Sequence, residues 1–498
     1  MIGEVADVTS AVTAALTAEG GRVCLLVPDT RARRLTGERY EVDLSSPESL
    51  RQLHQMVQGA DSTPVVGAIN CLGLQPGFRV AGLEDNEAPL RVAAWTFQFV
   101  KEFAVALQTN GGLFVNVTAL DGHFGLGEEM MTSVTSAGTL GIVKTLRREH
   151  PRLRVKNIDV EPAMPSDMLA ARLIQELANE EDLIEVGLTR QGRWRPALRK
   201  EAIPLGPPPL EIDGDSVILI TGGARGITAD IARKLAAEAK PRLVLVGRSP
   251  APEAESPRTC GLDRAALRNR FLNEARSGAE PVVPAEIERA INRLLKDREI
   301  RANLDACTVA GAAVEYHALD VRDAEAFGRL IDGLYERFGR IDGVIHGAGI
   351  IDDRRIRDKT LDSFAAVFRT KVDSAWTLAR KLRPEGLKFL AFFGSVSGRF
   401  GNVGQVDYSA ANEVLNKLAD YLHRRWPGRV MCLNWGPWQG GMVSEELRRL
   451  YAAAGVELIP VEEGVASFLA EIRGTDRRGA EVVLARGIER LLLSEPRP

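Results

Sequence analysis

Four stretches of the chain recur in the same order at an almost constant distance. Val42-Asp43-Leu44 pairs with Leu319-Asp320-Val321, and Gly67–Leu74 pairs with Gly343–Ile350. Gly122, Phe124 and Gly125 pair with Gly398, Phe400 and Gly401; Arg154, Val155, Asp159 and Pro162 pair with Arg429, Val430, Asn434 and Pro437. The offset stays between 275 and 277 residues through all four anchors, too steady for chance and far too long for a solenoid period. Strand-like apolar runs alternate with helical periodicity throughout, so the repeated unit is α/β with a parallel sheet. The proline-rich Pro204–Leu210 separates the copies and reads as a linker. The expected organisation is a first unit over 1–203, a linker over 204–213 and a second unit over 214–498.

Composition narrows the partners. The chain of 498 residues carries 64 basic against 67 acidic side chains, net −3, without a charged block, which argues against a nucleic acid or a membrane surface as principal partner. Cys24, Cys71, Cys260, Cys307 and Cys432 are scattered with no CxxC pair, so neither a disulfide frame nor a zinc site is expected. Met1–Gly20 has no basic leader and no apolar run reaches membrane length. The expectation is a soluble cytoplasmic protein.

The second unit opens with a nucleotide-site pattern. The buried run Val217–Ile220 leads into Thr221, Gly222, Gly223, Ala224, Arg225, Gly226 and Ile227, then into a helix over Ala229–Ala237. Glycines between a strand and a helix let backbone approach a pyrophosphate at the helix N-terminus. The next strand ends at Gly247-Arg248-Ser249. An NAD site wants an acidic residue there; Arg248 with Arg225 suits a 2′-phosphate instead, so NADPH is expected. Asp320 and Val321 end the third strand, where they meet the adenine edge. Gly347, Ala348 and Gly349 end the fourth, where the cofactor passes close.

A hydroxyl and a phenol complete the pattern. The run Lys388–Phe393, apolar from Phe389, reads as a buried strand that ends in a loop bearing Ser395, and thirteen residues after Ser395 Tyr408 opens a long helix with Asn412 one turn on. Residues four apart share a helix face. Ser395 and Tyr408 are thus placed to reach one carbonyl oxygen, the equipment for reducing a ketone.

These residues resemble the short-chain dehydrogenase/reductase superfamily and, more narrowly, the ketoreductase domains of type I polyketide synthases and polyunsaturated-fatty-acid-type synthases. The narrowing motifs are Thr221-Gly-Gly, His346–Gly349, Ile351-Asp352-Asp353, Lys371-Val372, Tyr408–Asn412 and Asn434–Trp438. General short-chain reductases place lysine four residues after the tyrosine; this chain has Asn412 there and offers Lys371, as polyketide ketoreductases do. Thr228, where the common pattern has glycine, is a small departure.

The resemblance implies two Rossmann-like subdomains. The first is a truncated structural subdomain, catalytically empty: Ala119, Thr132 and Ser136 fall where the second has Ser395, Tyr408 and Asn412. Its opening strand, Val23–Val27, corresponds to Leu243–Val246, so a first strand and glycine loop are expected to be lacking. The second is a complete NADPH-binding, doubly wound parallel sheet. The implied reaction is hydride transfer from NADPH to the β-keto carbon of a chain held by phosphopantetheine on an acyl carrier protein, among neighbouring synthase domains. Tyr408 would be the general acid, Lys371 its supporting cation, Ser395 the carbonyl polariser, and Asn412 the holder of the lysine or a relay water. Asp352 and Asp353, with Phe400 in place of a tryptophan, imply a D-(3R)-hydroxyacyl product. Gly440, Gly441 and Met442 fall at the family's lid; Trp435 and Trp438 suit either the core or the substrate wall.

A helical insertion at about 250–301, with apolar Ile287, Ile291, Leu294, Leu295 and Leu304, reads as a surface elaboration or a docking face. Two rival readings are a stand-alone reductase of free or CoA-linked ketones and a non-catalytic scaffold. The duplicated first half argues against the former, the intact serine, tyrosine and lysine against the latter.

Overall fold

The computed structural model describes residues 1–58, 64–79, 82–201, 211–277, 283–441, 445–453, 455–474 and 479–487. Residues 204–210 of the expected linker, and Met442, lie outside them. The first half contributes β1 (Leu25–Pro28), β2 (Arg33–Arg34), β3 (Arg39–Val42), β4 (Gly67–Asn70), β5 (Leu113–Thr118), β6 (Arg154–Val160), β7 (Glu185–Leu188) and β8 (Arg193–Trp194). The second contributes β9 (Val217–Thr221), β10 (Arg242–Gly247), β11 (Ala313–Ala318), β12 (Gly343–His346), β13 (Phe389–Ser395), β14 (Arg429–Trp435) and β15 (Glu481–Leu484). These last seven form one sheet in the order β11-β10-β9-β12-β13-β14-β15, and every pair is parallel. Strands buried on both faces read as continuous apolar runs, which is why β9 and β14 are buried at every position. Strand order reverses between β9 and β12, and in open α/β sheets ligands bind in the crevice beyond the carboxyl ends at such a point.

The first half repeats this plan with a reduced opening strand and with short antiparallel strands added, β2 on β3 and β8 on β7. Strand β1 pairs in parallel with β3, as β10 does with β11. Strands β4, β5, β6 and β7 follow in parallel, as β12 to β15 do. The expectation that the opening strand is lacking needs correction. Ile2 forms parallel bridges to both Leu26 and Asn70, giving a one-residue remnant where the other copy has β9. Helix Ala6–Ala18 follows directly, so the remnant has no glycine-rich loop.

The halves pack through equivalent helices. Helix Ala88–Thr109 lies on helix Leu361–Lys381, with Phe97 and Phe364 stacked at 4.7 Å. Helix Ala137–Glu149 lies on helix Val406–His423 so closely that a Cβ on Gly141 would collide with the Ser409 carbonyl. Lys144 bridges the junction, 3.0 Å from both Glu185 and Glu413, and Arg399 pairs with Glu185 at 2.5 Å. These ions are mutually paired, which burial demands. The two helices that carry Lys371 and Tyr408 are therefore braced from behind by the first half.

The insertion holds two helices where the sequence pattern pointed to one. Arg264–Ser277 and Pro284–Val309 pack together over a small separate core of Leu267, Ile287 and Ile291. The shorter helix carries four arginines among fourteen residues, leaving too weak an apolar stripe to register as periodicity.

Candidate active site

A cavity of about 700 Å³ opens at the carboxyl ends of β9, β10, β12, β13 and β14. Its one end is the glycine loop: Gly222, Arg225, Gly226 and Ile227, with Arg248 from the end of β10 and Val321 beyond β11. Its floor is Gly347, Ala348 and Gly349. Lys371, Ser395, Phe400, Tyr408 and Trp435 line the other end. Residues spread over more than two hundred positions thus share one space.

The glycines are where close approach requires them. Gly222 sits at φ +73, and a Cβ there would come 3.1 Å from the Gly347 carbonyl oxygen. Gly226 at φ +60 opens helix Gly226–Ala239, whose first amides have no intrahelical acceptor. Thr221 lies under the loop. Its hydroxyl is 2.8 Å from His346 Nδ1 and accepts from the Ala348 amide at 3.2 Å. Burial, then the Lys371 charge, push the His346 imidazole down to about 3, so it is a neutral strut. The cradle, with two guanidinium groups at its rim, fits a phosphorylated dinucleotide. Gly223 is buried behind the loop, and Ser249 accepts at its backbone carbonyl from the Tyr316 hydroxyl at 2.7 Å. Asp320 is tied to Arg322, with a shortest contact of 2.6 Å.

At the other end, strand β13 delivers Ser395, whose hydroxyl caps the short helix Val396–Phe400 by accepting from the Ser397 amide at 3.1 Å. Tyr408, half-buried in the first turn of helix Val406–His423, faces the same cavity. Burial pushes its phenol up to about 12, outweighing the Asn412 amide, which pulls the other way. Lys371 is 2% exposed; its Nζ donates to the Phe393 carbonyl at 2.7 Å and stands 5.3 Å from the Tyr408 ring centroid. Burial lowers its ammonium to about 8.

Of the two roles expected of Asn412, holding the lysine is not what the structure shows. The lysine is held by Phe393, while Asn412 Nδ2 donates to the Tyr408 backbone carbonyl at 2.7 Å. Its buried Oδ1 meets no donor among the described residues. The helical i to i+4 spacing that joins the two residues also brings the carboxamide back onto its own helix.

Three features escaped sequence reasoning. Gln405 Nε2 donates to both Asp353 oxygens, at 3.2 and 3.0 Å, while its Oε1 accepts from Ser397, which Ser395 touches. Lys359, fully buried, pairs with Asp407 at 2.5 Å and also reaches the Asp352 carbonyl, pinning the Asp352–Asp353 loop to the residue before Tyr408. The first half reaches the cavity through Arg148, and Glu149 accepts from the Gly404 and Ile356 amides at 2.9 Å each. A long-range pair such as Lys359 and Asp407 leaves no periodicity to read. Trp435 and Trp438 are both: they pack edge-on at 4.7 Å in the core and also line the cavity. Gly441 and Tyr451 close the side where the lid was expected.

Residues 216–440 match the family described as "KR domain". The chain is 30% identical over 408 residues to a polyunsaturated fatty acid synthase polypeptide of Thraustochytrium sp., covering 78% of this chain and 14% of that protein. It is 26% identical over 424 residues to the 6-methylsalicylic acid synthase of Penicillium patulum, covering 84% of this chain and 21% of that one. The chain therefore spans only a small part of these relatives. Among solved structures, an N-terminal ketoreductase from the macrolactin assembly line superposes with a TM-score of 0.73 at 20% identity, covering 99% of this chain and 88% of its own. A ketoreductase domain from the bacillaene assembly line gives 0.64 at 22% identity, covering 86% and 96%. At these identities the structures speak for the fold.

Proposed function

We propose that this chain, whose residues 216–440 match the KR domain family, reduces the β-keto group of an acyl chain, tethered by phosphopantetheine to an acyl carrier protein, to a D-(3R)-hydroxyacyl group. The observation that carries this is the convergence of Ser395, Tyr408 and Lys371 with the glycine cradle in one cavity at the strand-order reversal. In this reading residues 1–203 are the structural unit and 214–498 the catalytic one, beside further domains of a synthase.

NADPH, held by the Gly222–Ile227 loop, Arg225, Arg248 and the Gly347–Gly349 turn, would supply the hydride. The residues of the chain do the rest. The Ser395 hydroxyl donates to the substrate carbonyl oxygen and polarises it. Tyr408 gives its proton to the same oxygen as charge develops there; a phenol held near 12 stays protonated until then. The Lys371 ammonium offsets the negative charge left on the phenol. Asn412 fixes the first turn of the helix that carries Tyr408, and the Asp353–Gln405–Ser397 chain fixes the loop that meets the substrate beside Ser395. Gly440, Gly441 and helix Glu445–Ala453 act as the lid.

The purified protein should consume NADPH with a short β-ketoacyl thioester, and with the same acyl group on a carrier protein at a higher kcat/KM. Equal kcat/KM for carrier-bound and free thioesters would favour the stand-alone reductase.

A further inference from the structure

The second helix of the insertion reaches the coenzyme end of the cavity. Helix Pro284–Val309 lies along helix Gly226–Ala239, anchored by buried Asn303, whose Nδ2 donates to the Ala224 carbonyl at 3.0 Å. One turn earlier on the same face stands Glu299. Its Oε1 accepts from the Gly226 amide at 2.9 Å and its Oε2 from Arg225 Nε at 2.7 Å. It lines the cavity with Arg248. An amide at a helix N-terminus together with a guanidinium is the donor set that phosphate oxygens use. Here an internal carboxylate already holds it.

Resting on the NADPH reading above, we propose that Glu299 competes with the 2′-phosphate of the coenzyme for Arg225, so that NADPH binds by displacing this carboxylate from the guanidinium. Lys296, one turn from Glu299, adds a third cation. Burial lowers its ammonium, and the nearby charges of Arg225 and Arg248 lower it further, while Asp297 and Glu299 act the other way. With Glu299 displaced, Arg225 and Arg248, which both line the cavity, are left facing one dianion. A coenzyme without a 2′-phosphate has nothing to exchange for the carboxylate. The insertion would then set both the affinity for NADPH and the margin over NADH.

Direct binding measured by titration calorimetry tests this without turnover. The probes are NADPH, NADH and adenosine 2′,5′-bisphosphate, against wild type, Glu299→Gln and Glu299→Asp. Removing the competing charge should tighten NADPH and the bisphosphate by about tenfold in Glu299→Gln, leaving NADH unchanged. Glu299→Asp, whose shorter side chain cannot hold both donors, should move the same way by less, and it serves if Glu299→Gln does not fold. Unchanged or weaker NADPH binding in the folded variants would make Glu299 a plain helix cap and overturn the proposal. Weakened NADH binding would make it a ribose-hydroxyl acceptor and overturn it equally. A wild-type protein that binds neither coenzyme would instead overturn the NADPH reading on which the proposal rests.

Discussion

Lys371 Nζ stands 5.3 Å from the centre of the Tyr408 ring although the two residues lie on different helices, held there by the Phe393 carbonyl at 2.7 Å. The general short-chain pattern supplies this cation from the tyrosine's own helix. Here it enters from helix Leu361–Lys381, which the first half braces through Phe97 and Phe364. The cation's position thus depends on tertiary packing across the whole chain.

A pH dependence follows from that placement. Burial lowers Lys371 to about 8 and raises Tyr408 to about 12, so below pH 8 both carry their protons. Above it the ammonium is lost first. In the proposed reaction kcat/KM should therefore fall as pH rises through about 8. Lys371→Arg, charged throughout, should move that limb to higher pH. Lys371→Met should abolish it and lower the rate by about a hundredfold. A wild-type profile flat to pH 10 would show that the lysine charge does not matter.

Coenzyme choice should depend on Arg248. Its loss removes a charge-assisted bond worth about 1.5–3 kcal/mol from the 2′-phosphate and nothing from NADH. Arg248→Ala should accordingly raise the Kd for NADPH ten- to a hundredfold, read by protein fluorescence, with the NADH value unmoved. Equal weakening of both would assign Arg248 to the shared part of the coenzyme.

Gln405 couples Asp353 to Ser397 and so to Ser395. Cutting that link in Gln405→Ala should erode the product's configuration before it erodes turnover. Chiral chromatography should find a (3R) excess for the wild type and a smaller one for the variant at comparable kcat. An unchanged excess would leave the Asp352–Asp353 loop without a part in orientation.

The junction between the halves should carry stability. Lys144→Met leaves Glu185 and Glu413 without one buried partner each, at a cost of about 3 kcal/mol. Urea unfolding should show a lower midpoint. No shift would mean that Arg399 and Lys417 suffice to hold the two carboxylates.

Much of this was legible in the sequence because it is local. The strand, glycine loop and helix around Thr221–Ile227 follow one another directly, and Tyr408 and Asn412 lie one helical turn apart. The repeat offset revealed the duplication, and its last anchor already located the equivalents of β14. What stayed hidden was long-range or faint. Ile2 supplies a strand of one residue, too short for any pattern. Glu299 meets Gly226 across 73 residues, and Lys359 meets Asp407 across 48; such pairs are fixed by packing. Asn412 shares a helix face with Tyr408 as the spacing implies, but its contact with the Tyr408 carbonyl rather than with Lys371 is set by reach, which spacing does not give.

The most direct test of the central claim compares wild type with Tyr408→Phe. Both are given NADPH and a short β-ketoacyl thioester, with NADPH oxidation and the product's configuration recorded. The expected result is a (3R)-hydroxy product from the wild type, and a loss of turnover of about 10²- to 10⁴-fold in the variant with NADPH binding unchanged. A Tyr408→Phe protein that reduces the ketone at the wild-type rate would contradict the account.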